Sequence, residues 1–80
     1  MPVIYLAAFQ AGPDSLVEAI ALTEDGKLVG RHLSSTIDWA KRDIVRSGHR
    51  QDYAKHYPGG YELVWIDDPS TDPRWTDVVR

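Results

Sequence analysis

Asp25-Gly26 stands between two runs of strand-forming residues, 16–23 and 27–33. Asp-Gly at such a junction is the strongest short-range signal of a β-hairpin, because a type I′ turn needs φ > 0 at both central residues. The pair predicts two antiparallel strands and ties their register to one point of the chain. Register then assigns faces, since side chains alternate along a strand. Leu16, Glu18, Ile20 and Leu22 share one face; Val17, Ala19, Ala21 and Thr23 share the other. Gly30, in the middle of the second strand of the hairpin, marks a bulge or a close packing contact.

The flanking segments extend this reading. Residues 2–10 are nearly apolar on both faces, the pattern of a central strand covered on each side. Gly12-Pro13-Asp14-Ser15 is a turn cluster. Ser35 reads as an N-cap with Asp38 three residues on, opening a helix over 36–46. Ile37, Ala40, Ile44 and Val45 would form its apolar stripe, and Gly48 suits its C-terminal cap. A short second helix is expected within 49–57, with Tyr53 and Tyr57 on one face, ended by Pro58-Gly59-Gly60. Residues 61–66 read as a fourth strand. Asp72-Pro73 suggests a final helical turn that returns Trp75 and Val78 to the body.

The predicted fold class is therefore α+β, in one domain spanning residues 1–80. It is a single sheet of about four strands in βββ-α-β order, strands one to three an antiparallel meander, with one or two helices on one face. The pattern leaves open whether strand four lies beside strand one or at the other edge.

Composition limits the chemistry. The chain has no cysteine, which excludes disulfides, thiolate metal sites and cysteine nucleophiles and suits a reducing cytoplasm. The longest apolar run near the N-terminus, residues 3–9, is far short of the ~20 residues of a membrane span, and no basic segment precedes it, so no leader is expected. The three histidines, His32, His49 and His56, show no metal-ligand spacing, and no cofactor or metal is expected. No serine sits in a nucleophile elbow, and no phosphate-binding glycine loop occurs. Asp67-Asp68 ends strand four, but adjacent strand residues point to opposite faces and do not chelate one ion without a kink.

The βββ-α-β order resembles the first part of ribonuclease-H-like nucleases. That family places acids on the first strand, the helix and the end of the fourth strand. Asp67 or Asp68 matches the last position and Asp38 or Asp43 the helix. Tyr5-Leu6-Ala7-Ala8 offers no first-strand acid, so two-metal catalysis has nowhere to hold its ions. The chain reads as non-catalytic.

Charge is sorted along the sequence. Residues 1–38 carry net −3, residues 39–60 net +3, and residues 61–80 net −3. The acidic end combines Glu62, Asp67, Asp68, Asp72 and Asp77 with Trp65 and Trp75, an arrangement of aromatic anchors and steering carboxylates that fits a protein interface. With Asp14, Glu18, Glu24 and Asp25, it gives a compact cysteine-free body two acidic regions. In this the chain resembles small phage-encoded inhibitors of the anti-CRISPR kind. The resemblance implies a cytoplasmic protein that occludes a nucleic-acid-binding surface of a host complex, such as a CRISPR effector with a basic channel. Glu62, Asp67, Asp68, Asp72, Trp75 and Asp77 would carry the contact. The basic stretch Lys41, Arg42, Arg46, Arg50 and Lys55, interleaved with Tyr53 and Tyr57, supports an alternative nucleic-acid-binding module. A homo-oligomeric assembly protein, joined through a strand edge or aromatic patch, is the third reading.

Overall fold

The computed structural model describes residues 1–10, 12–47 and 53–66. Four strands and two helices follow in the order β1 (Val3–Gln10), β2 (Val17–Thr23), β3 (Leu28–Ser34), α1 (Ile37–Ser47), α2 (Tyr53–His56) and β4 (Glu62–Trp65). The strands form one mixed sheet in the order β3-β2-β1-β4. The first three make an antiparallel meander. β4 lies beside β1 and parallel to it, with Ile4 opposite Leu63 and Leu6 opposite Trp65. The class is α+β, and the position of β4 is decided. No helix among the described residues is long and apolar enough to cross a membrane.

β1 is apolar on both sides because both sides are covered. On one face Ile4 and Leu6 join Val17, Ala19 and Ala21 of β2, Ala40 and Ile44 of α1, and Tyr53 of α2, all fully or nearly fully buried. On the other, Ala7 packs with Ile20 and Leu22, flanked by Tyr5, Phe9 and Ile66. The alternation read from β2 matches this division: Val17, Ala19 and Ala21 go to the helix side, Ile20 and Leu22 to the opposite one. Burial of such side chains contributes roughly 1.5–3 kcal/mol each, which dominates the stability of so small a sheet.

The hairpin between β2 and β3 forms, but its turn differs from the expected type I′. Asp25 keeps a negative φ, and Gly26 alone lies in the left-handed region at φ 85°. The Gly26 amide donates to the Thr23 carbonyl at 3.0 Å and the Thr23 amide to the Lys27 carbonyl at 2.9 Å. This is a type I turn followed by a left-handed glycine, the next longer hairpin loop. Thr23 explains the choice. Its fully buried side chain donates a hydrogen bond to the Asp25 carboxylate and accepts one from the Lys27 amide at 3.0 Å. These side-chain bonds stabilise a local turn that the dipeptide alone does not specify.

Gly30 answers both expectations attached to it. The β2–β3 register shifts beside Ala21 and Leu22, which places the bulge next to this glycine. A Cβ at Gly30 would stand 3.0 Å from the Tyr53 hydroxyl oxygen and 3.2 Å from its ring. The missing side chain admits the edge of Tyr53, whose hydroxyl donates to the Ile44 carbonyl at 3.0 Å. Tyr53 thereby locks α2 to α1, and Tyr61 meets its ring edge-on at 5.7 Å. Tyr57 follows Tyr53 onto the same cluster, as expected. Partial burial, with Asp25 and Glu24 nearby, holds the Tyr57 phenol above its ordinary pKa.

Candidate binding surface

The cap of α1 sits one residue later than the sequence suggested. The Thr36 hydroxyl, not that of Ser35, accepts the Trp39 amide, at 3.2 Å. Asp38 then falls in the first turn and Arg46 in the last, both complementing the helix dipole. The later start rotates nothing, because 100° per residue still places Ala40 and Ile44 together against the sheet. It leaves Ile37 partly exposed at the tip, outside the buried stripe to which it was assigned.

The same rotation sorts the remaining side chains of α1. Trp39, Arg42 and Arg46 fall on the outward side, three and four residues apart. Trp39 is 51% exposed, and the Arg42 guanidinium lies over its ring, 4.9 Å from the centroid. Lys41 falls on the flank facing β4. Its ammonium sits over the ring of Trp65, 5.3 Å from the centroid, and Trp65 is itself 40% exposed. Asp43 falls on the opposite flank, where it meets His32 of β3 at 3.1 Å. The helix thus turns one carboxylate toward β3 and two cations toward exposed indoles. Among the described residues, the Arg31–Glu18 ion pair, at 2.5 Å, and the His32–Asp43 contact both leave out Lys41, Arg42 and Arg46.

Lys41 with Trp65 and Arg42 with Trp39 therefore make two exposed cation–aromatic pairs, one on the β4 flank of α1 and one on its outward side. Such pairs are worth about 0.5–1 kcal/mol each at exposed positions. That holds the indoles in place without removing them from solvent. An exposed tryptophan held by a guanidinium is well suited to contact, because the ring offers a large rigid area with few torsions to freeze.

The residues singled out in the sequence divide between this surface and elsewhere. Lys41, Arg42 and Arg46 lie exposed on α1. Lys55 is exposed on α2, a separate element; Arg50 lies outside the described residues. Glu62 is exposed on β4 and pairs in register with Val3, on the face opposite Leu63 and Trp65. The carboxylate and the indole grouped together from sequence thus point to different sides. Asp67, Asp68, Asp72, Trp75 and Asp77 lie outside the described residues, as do Gly48, His49 and the helical turn expected near the C-terminus. Trp39 escaped the sequence reading. Its spacing of three to Arg42 was a usable signal, but helical spacing alone does not say which side of α1 faces water. Among the described residues, no group of three His, Asp or Glu side chains is placed to hold a metal ion.

No protein-family model, curated protein or solved structure matches the chain at a significant level.

Proposed function

We propose that this chain is a non-catalytic binding protein that engages a macromolecular partner through the cation–aromatic side of α1 and β4. The observation that carries the reading is Trp39. It stands half exposed on the outward side of a helix whose opposite side already fills the core. Its ring contributes little to folding there and offers much to an interface. Trp65 and Lys41 extend the same contact onto β4.

The partner is a protein complex, and the mode of action is occlusion, as in phage-encoded inhibitors of the anti-CRISPR kind. The small cysteine-free body and the two acidic regions flanking a basic middle support this mode. The absence of cysteine also suits work in the cytoplasm.

The test is capture of partners by the tagged full chain from host lysate, with and without nuclease, beside Trp39→Ala. A protein partner that survives nuclease and is lost on Trp39→Ala supports the reading. Capture unaffected by both Trp39→Ala and Trp65→Ala overturns the surface. Expressing the chain in cells with active CRISPR interference tests the inhibitor mode: phage plating efficiency rises if it holds and stays flat against every effector type if it does not.

A further inference from the structure

Alternation and register put Tyr5, Ala7 and Phe9 of β1 with Ile20 and Leu22 of β2 on the sheet face turned away from the helices. Ala7, Ile20 and Leu22 are fully buried there. Neighbours in the same sheet close the sides of such side chains but not their outer ends, so burial this complete needs a segment laid across the face. Among the described residues, both helices lie on the other side: Ala40 and Ile44 of α1 and Tyr53 of α2 pack against Ile4, Leu6, Ala19 and Ala21. The cluster around Ile20 draws its apolar members from strands, together with Ile66. We propose that this face is the docking site of the chain's own C-terminal segment, residues 67–80, seated through Trp75, Val78 and Val79.

The place where burial stops identifies the occupant. Leu28 pairs with Leu22 and Leu33 with Glu18, so both belong to the same face one strand further out, yet they are 45% and 55% exposed. The cover spans β1 and β2 and ends before β3. It therefore reaches in from the β4 side, where the Ile66 amide donates to the Leu6 carbonyl and the Ile66 side chain joins the buried cluster. Residues 67–80 continue from that point. β2 lies two strands from β4, about 10 Å at ~4.8 Å per strand, a distance an extended chain crosses in about three residues. The connection 48–52 joins α1 to α2 on the other side of the sheet and does not serve this face. A tethered segment also has the advantage over a free partner, because its effective concentration is on the order of millimolar.

The residue types fit. Asp72-Pro73 is the sequence of a helix start, and Trp75, Val78 and Val79 follow at the i, i+3, i+4 spacing of one helix side. Ala7 stands opposite Ile20, and its small side chain leaves room for a bulky ring above the sheet. Trp75 then belongs to the core, and Trp39 and Trp65, on the helix side of the sheet, remain for the partner.

The test is NOE spectroscopy on the full chain, methyl-labelled at alanine, isoleucine and leucine. Contacts from the Trp75 indole protons to the methyls of Ala7, Ile20 and Leu22 are expected, within one chain and at monomer mass. Trp75→Ala should shift those three methyl resonances and lower the urea midpoint. Trp75→Phe keeps a ring and should keep the contacts, which covers the case in which the alanine variant does not fold. No contact between residues 67–80 and these methyls overturns the proposal. Contacts found only between a labelled and an unlabelled chain also overturn it, in favour of a second copy. Partner capture that depends on Trp39 is a separate readout, so the docked segment and the contact surface stand or fall independently.

Discussion

Gly30→Ala probes the contact that joins both helices to the sheet. The new methyl would lie 3.0 Å from the Tyr53 hydroxyl, 3.2 Å from its ring and 3.4 Å from the Ala21 methyl. Tyr53 is fully buried, so its ring has no solvent to retreat into. Inserting a methyl into such a site costs about 1–3 kcal/mol. If the ring shifts enough to break its 3.0 Å hydrogen bond to the Ile44 carbonyl, about 1 kcal/mol more is lost. Against this, alanine restricts the unfolded chain and recovers about 0.4–1 kcal/mol, with no backbone strain because Gly30 does not have a positive φ. The net expectation is a loss of about 1–3 kcal/mol, read as a lower urea midpoint at unchanged slope. Tyr53→Phe removes the atom nearest the new methyl, so the cost of Gly30→Ala should fall by about 1 kcal/mol in that background. An alanine variant within about 0.5 kcal/mol of the parent, or an equal cost in both backgrounds, refutes the close-approach argument.

Three further outcomes are expected. Gly26→Ala should lower stability by about 1–2 kcal/mol in chemical unfolding, because alanine is strained at φ 85° although no atom lies within 4 Å of its methyl; Gly59→Ala, equally open and without positive φ, should be near neutral. Thr36→Ala should cost about 1 kcal/mol through loss of the α1 cap, whereas Ser35→Ala should cost little, and thermal melts of the two variants distinguish the assignments. The hydrogen bond from Thr23, helped by the Asp25 amide and by His56 and Lys27, holds the Asp25 carboxyl below its ordinary value of 3.8. A depressed folded pKa adds stability above the unfolded value and loses it as pH falls through the folded one. Unfolding midpoints should therefore drop below about pH 4, and the drop should be shallower in Asp25→Asn.

The local elements and the faces of the central strands were legible in the residues themselves. Alternation in β2 and the double-sided apolarity of β1 follow from burial, which acts residue by residue and leaves a period in the sequence. Gly30 was likewise legible as a special position, because glycine inside a strand weakens it unless something needs the space. Tertiary structure decided the rest. The turn at Asp25-Gly26 departed from the dipeptide's preference because Thr23, buried by the sheet, supplies hydrogen bonds from outside the pair. The place of β4 depended on Leu63 reaching the core beside Ile4, a contact across most of the chain. The binding surface was legible only in part. The cations of α1 show in the sequence as charge. Trp39 and Trp65 look like core material there, since a large aromatic is apolar whichever way it faces. The docking of Ala40 and Ile44 turns Trp39 outward, and the alternation of β4 sets Trp65 beside Lys41 and Glu62 on the other side.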